Sequence, residues 1–132
     1  MLISIVPFYA ALLAALYIFL SVRVIRMRVK DQIGLGDRNN PRLQRAIRVH
    51  GNFAEYVPLA LILAAFVELQ QYSPWIIHLL CLALIIGRVI HAYGVSQEKE
   101  DYRLRVVGMG LTFGAIIIAA LRLIGTFLVG RS

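Results

Sequence analysis

The sequence predicts an all-α membrane protein, a bundle of four spanning helices, and three observations predict it. The chain has 132 residues, 60% of them hydrophobic and only 16% charged, more apolar side chain than a soluble domain of this size can turn inward. Its apolar residues fall in long blocks, with no charged side chain in 1–22, 69–87 or 106–121. Such blocks reach or approach the roughly 20 residues that cross a hydrocarbon core of about 30 Å. The basic residues are also unevenly placed. Eight of the fourteen lie between Arg23 and Arg48, four more between Arg88 and Arg105, and only Arg122 and Arg131 remain. With four spans, both basic segments share one side, which the positive-inside rule makes cytoplasmic, leaving both termini outside the cytoplasm. That asymmetry accounts for the formal charge of +7 without a nucleic-acid partner.

The first helix is expected at about 4–28, retained rather than cleaved, because no basic segment precedes its apolar block and Arg23, Arg26, Arg28 and Lys30 follow it. The stretch from Lys30 to Pro41, with Gly34, Gly36, Asp37, Asn39 and Asn40, reads as a polar connection. Pro41 suits a first helical turn, so the second helix runs about 41–70. Tyr72, Ser73 and Pro74 form a tight turn. The third helix covers about 74–94, ending near Gly94, and a short charged link from Ser96 to Asp101 leads into the fourth, about 102–129. No repeat or low-complexity tract is visible, so 1–132 reads as one transmembrane domain. A helical bundle is the form a bilayer favours, since each helix satisfies its own backbone.

The second helix is the unusual one. Its uncharged stretch from Tyr56 to Val67 is too short to cross alone, so the turns before it enter the membrane boundary carrying Arg45, Arg48, Asn52 and Glu55. At about 100° per residue, these four and Tyr56 fall within an arc of roughly 100°. Pro58, one turn on, removes a backbone bond and is expected to bend the helix. Intramembrane charge is costly, so this stripe must face a neighbouring helix or a wet cavity. It serves either as a structural network, with Arg48 and Glu55 neutralising each other, or as a binding site. Arg88 and His91 share a face of the third helix, with Tyr93 just beyond. The fourth helix opens on Tyr102, Arg103 and Arg105, then presents a seam of small residues, Gly108, Thr112, Ala115 and Ala119, of the kind that lets helices pack closely in lipid.

Three helices thus bring cationic and hydrogen-bonding groups to one membrane depth, which suits an anionic ligand. Arginine holds carboxylates in bidentate fashion and keeps its charge in any surroundings. Glu55 can hold an ammonium group, Asn52 an amide, and Tyr56 and Tyr93 a further polar atom. A small peptide with carboxylates, an amine and amide bonds matches all of these. An adjacent arginine would also raise the thiolate fraction of a bound thiol.

The run Arg48-Val-His-Gly-Asn52-Phe-Ala-Glu55-Tyr56-Val-Pro58 resembles the second-helix signature of the MAPEG proteins, membrane-associated proteins in eicosanoid and glutathione metabolism. Arg88-Val-Ile-His91-Ala-Tyr93 and Arg105-Val-Val-Gly108 are similar to its third- and fourth-helix segments. The likeness is greatest to the small bacterial members, which implies an inner-membrane location. It implies a homotrimer, with glutathione as co-substrate held between neighbours at a site open to the cytoplasm. Carried over by position, Arg48, Asn52, Glu55, Tyr56, Arg88, His91 and Tyr93 would bind glutathione. Arg105 would stabilise its thiolate, with Arg103 the rival for that role. The implied activity is a glutathione transferase acting on hydrophobic electrophiles, with lipid hydroperoxide reduction as its companion. The alternative is a non-catalytic membrane protein using the same scaffold for another anion or a lipid headgroup.

Other polar residues are read as structural. Cys81, the one cysteine, sits in an apolar run as a packing residue. His50 points away from the arginine stripe and reads as a residue supporting the site from behind or as a subunit contact, His78 reads as a packing or interhelical bonding residue, and the three histidines lack metal-site spacing, so no metal is expected. Glu68 and Arg122 are both expected at the outer end, approaching each other within a subunit or across the subunit interface.

Overall fold

The computed structural model describes residues 3–130 as four antiparallel helices: α1 (Ile5–Asp31), α2 (Pro41–Leu69), α3 (Pro74–Ser96) and α4 (Tyr102–Val129). All four are long and apolar enough to cross a membrane, and no strand occurs among the described residues. Arg131 lies outside them.

The helix ends follow from local chemistry. Asn40 opens α2 by accepting from the Arg42 and Leu43 amides at 3.1 and 3.2 Å, with Pro41 in the first turn where no amide hydrogen is needed. Asp101 opens α4 by accepting from the Arg103 amide. α1 runs three residues past the expected end, because nothing in Val29, Lys30 or Asp31 breaks a helix. It stops where Gln32 turns left-handed and the Ile33 amide reaches back to the Arg28 carbonyl at 3.0 Å. α3 likewise continues through Gly94 to Ser96. Gly94 is not a terminator. It is buried where α4 begins, and a Cβ there would lie 2.8 Å from the Leu104 Cβ. α2 stays helical through Pro58, whose ring faces outward.

The buried residues of α4 are Gly108, Thr112, Ala115 and Ala119, the small-residue seam. Along it α3 and α4 approach so closely that a Cβ on Gly108 would lie 2.7 Å from both the Gly87 carbonyl oxygen and the His91 Cβ. Two apolar clusters fill the bundle. One gathers Val6, Tyr9, Val67, Ile77 and Ala119, the other Leu13, Leu20, Val49, Phe53, Val57 and Leu84. Large apolar side chains such as Phe8, Phe19, Leu79 and Leu121 point outward, as lipid rather than water requires.

At the end of the bundle that holds the termini, Glu68 does not meet Arg122 within one chain. Its carboxylate accepts from the Ser4, Ile5 and Val6 amides at 2.8, 2.7 and 2.8 Å, capping α1 from a neighbouring helix. The four amides at a helix start have no partners of their own and carry partial positive charge, so they attract a carboxylate as a cation does. Arg122 instead lies over the Tyr72 ring, 5.1 Å from its centre.

Candidate functional site

The antiparallel order brings the end of α1, the start of α2, the end of α3 and the start of α4 together. Here the polar stripe of α2 divides among three neighbours. Asn52 turns into the bundle and is buried, accepting from Arg88 Nη1 at 2.6 Å. Arg88 itself is only 2% exposed; its Nη2 points to the Met109 sulfur at 3.2 Å, and its Nε has no partner among the described residues. No carboxylate pairs with it there. A buried guanidinium whose charge is unmatched is expensive, and an unused donor directed inward is the mark of a group awaiting water or a ligand.

Arg48 and Glu55 pair along the outer face of α2 at 3.2 Å, both about half exposed. Two turns separate them, so the contact costs little to open. Tyr56 is half-buried edge-on to Phe113 of α4, ring centres 5.4 Å apart.

Arg45 leaves the stripe toward the α3–α4 link. Its Nη1 donates to the Val95 carbonyl at 3.1 Å and to Glu100 Oε2 at 2.9 Å. The other oxygen of Glu100 lies 3.4 Å from Arg105 Nη1. Arg45, Arg48 and Arg105, with Glu100, Pro41, Gln44 and Val95, line one hollow of about 360 Å³. Three arginines against one carboxylate make it electropositive, sized for a small anion or one end of a larger one.

The sequence-derived residues therefore separate into three groups. Arg48 and Arg105 share the hollow. Arg88, Asn52 and His91 lie buried behind it, His91 against the α3–α4 seam, and within one chain Arg88 does not line the hollow. Tyr93, 61% exposed, and Arg103, also exposed, face outward; the Arg103 amide donates to Asp101 at the start of α4. Of the two arginines opening α4, Arg105 is the one turned to the hollow.

Sequence reasoning missed Glu100, Met109 and the turn of Arg45 toward the link. Glu100 had a signal: the link holds three acidic residues, and a carboxylate beside a cluster of arginines is drawn to them. Met109 had none, since only the close α3–α4 approach brings its thioether to Arg88.

Two histidines sit apart from the site. His50 stacks on Tyr17, ring centres 5.0 Å apart, and bonds Ser21 Oγ at 3.0 Å; His78 bonds the Tyr9 hydroxyl at 2.9 Å. Both tie α1 to its neighbours. Cys81 is buried and free. Among the described residues no three His, Cys, Asp or Glu side chains gather as a metal cage requires.

Residues 6–125 match the MAPEG family. The chain is also 36% identical to the inner membrane protein YecN of Escherichia coli K12 over 113 residues, covering 86% of this chain and 85% of that protein. The match to YecN of Escherichia coli O6:H1 has the same identity and coverage.

Proposed function

The chain belongs to the MAPEG family, and on that premise we propose that it is a membrane-bound glutathione transferase. The observation that carries the reading is the electropositive hollow where Arg48 of α2 and Arg105 of α4 meet, with the uncompensated Arg88 behind it. In this reading glutathione lies with its carboxylates toward the arginines and its amino group toward Glu55. Tyr56 adds a contact from α2 and the outward-facing Tyr93 one from a neighbouring subunit, while Asn52, Arg88 and His91 act from behind the hollow, Arg88 through its uncompensated charge.

The chemistry asked of the protein is modest. Arg105 stabilises the sulfur anion left when the thiol gives its proton to water, and hydrogen-bond donors placed before the reaction cost no rearrangement during it. The thiolate then attacks an electrophilic carbon of a hydrophobic substrate arriving from the lipid; the sulfur–carbon bond forms as the leaving group departs or a double bond opens. The same thiolate can attack the outer oxygen of a lipid hydroperoxide, breaking the O–O bond to release the lipid alcohol and leave glutathione sulfenic acid, which a second glutathione converts to the disulfide and water, so peroxidase activity belongs to the proposal. The protein works in the bacterial inner membrane, with its termini outside and the hollow facing the cytoplasm, and it self-associates as a homotrimer.

Glutathione thiolate absorbs in the ultraviolet, so difference absorbance on detergent-purified, folded protein tests binding and activation together. Wild type is expected to show thiolate near neutral pH. Arg105→Ala should lose about tenfold or more of the signal, the scale of removing one preorganised charge, while Arg103→Ala stays close to wild type. Absence of thiolate and of conjugation in wild type would reject the proposal. One observation favours a second reading, a non-catalytic scaffold for another anion or a lipid headgroup: Glu100 already engages Arg105. Folded protein that binds no glutathione yet binds another anion or an anionic lipid saturably, and loses that binding in Arg48→Ala, is the result that selects it.

A further inference from the structure

We propose that Glu100 is a built-in placeholder anion for Arg105, a specificity-determining residue that an incoming ligand must displace; its effect on glutathione rests on the function proposed above. Its side chain is only 8% exposed although it sits on the link between two helices, and two arginines from different helices converge on it. The two contacts are unequal. Arg45, 28% exposed and also bound to the Val95 carbonyl, holds one oxygen at 2.9 Å. Arg105, 42% exposed, stands 3.4 Å from the other oxygen, the longest ion pair among the described residues. The tight contact fixes the carboxylate to α2. The loose one is what exchange with a ligand would break, and Glu100 need not leave its anchor when that happens.

The consequence is selection among anions. A cation at the membrane boundary without a partner would take up any small anion that reached it. With Glu100 present, a ligand gains at Arg105 only what its own charge adds over the carboxylate already there. An anion held at that point alone gains little. A ligand with a second anchor on Arg48, which lines the same hollow, offsets the exchange. The hollow thus favours extended ligands with two anionic ends over simple carboxylates.

Phenylglyoxal, which condenses with accessible, unpaired guanidinium groups, reads the state of Arg105 without any ligand. Under light labelling of the purified full-length protein, followed by mass spectrometry of the Arg105 peptide, Glu100→Gln should raise the rate at Arg105 by about threefold, the scale of a half-exposed ion pair. Arg45→Gln should lower it, because the freed carboxylate closes on Arg105. These opposite signs separate the proposal from a general loosening of the fold, which would raise both. Acetate should slow Arg105 labelling in Glu100→Gln at concentrations that leave wild type unaffected. Unchanged Arg105 labelling in Glu100→Gln, or a rise in both variants, overturns the proposal. Should the labelling behave as expected while glutathione neither binds nor protects Arg105, the placeholder stands and the glutathione reading fails.

Discussion

Arg88 and Asn52 face each other across the α2–α3 contact at 2.6 Å, the one hydrogen bond to an oxygen that the buried guanidinium makes among the described residues. Removing it leaves a cation with less to hold it. Asn52→Leu is therefore expected to destabilise the protein by about 2–4 kcal/mol, the range for stripping a buried charge of its hydrogen bond. Asn52→Asp, which supplies a countercharge at the same distance, should be milder. Thermal unfolding in detergent checks the order; equal losses would show that shape rather than charge governs the position.

Arg48 and Glu55 behave differently because their 3.2 Å pair is half exposed. Such pairs contribute little to folding, so Arg48→Ala and Glu55→Ala should each change stability by less than about 1 kcal/mol. If the two residues hold glutathione, affinity should nonetheless fall about tenfold or more, the usual cost of a charged hydrogen bond to a ligand. Isothermal titration with parallel melting curves decides between the network and the binding site that the sequence alone left open. Loss of stability without loss of affinity assigns the pair to the network.

At the seam, Gly108→Ala places a methyl group 2.7 Å from the Gly87 carbonyl and should cost about 1–3 kcal/mol by forcing α3 and α4 apart. Gly110, on the same helix, has nothing within 4 Å of the same added atom. Gly110→Ala should be neutral, or stabilising by up to about 1 kcal/mol from helix propensity. A large loss at Gly110 would reveal a neighbouring chain packed on that face.

Glu68 offers a test at the other end. Glu68→Gln keeps the shape and removes the charge that gathers three α1 amides, with an expected loss of about 1–2 kcal/mol. Amide exchange at Ile5 and Val6 should accelerate more than exchange in the middle of α1. Uniform protection along α1 would show that its start is held by packing instead.

These residues also mark what the sequence made legible. Block length, turn residues and Pro41 located all four helices to within three residues at each end, because those signals are local. The seam of α4 was legible too, since a face of Gly, Thr and Ala has little use except close approach. The partners Glu68 has within its own chain were missed because pairing was sought among side chains, and the partial charge of a helix start is invisible in residue letters. Glu100 was passed over because a charged link reads as solvated. Only the folded chain shows that the link bends back under α2. For the same reason Arg88 reads as one of three cavity arginines, whereas its helix phase buries it behind them.

The two ion pairs that join α2 to the α3–α4 link supply the last prediction, and it runs against distance. Arg42 and Glu98 are closer, 2.6 Å, but 74% and 67% exposed. Arg45 and Glu100 are 2.9 Å apart at 28% and 8% exposure. Water and salt screen the first pair, and holding two long side chains in register costs entropy, so its coupling should be about 0–0.5 kcal/mol and vanish in high salt. The second pair lies where screening is weak and one partner has little water to fall back on. A double-mutant cycle there should give about 1–3 kcal/mol and persist at high salt. Measuring both cycles at low and high ionic strength tests the contrast directly. Absence of coupling in both cycles would mean that the link swings free of α2, leaving Glu100 with no fixed place beside Arg105.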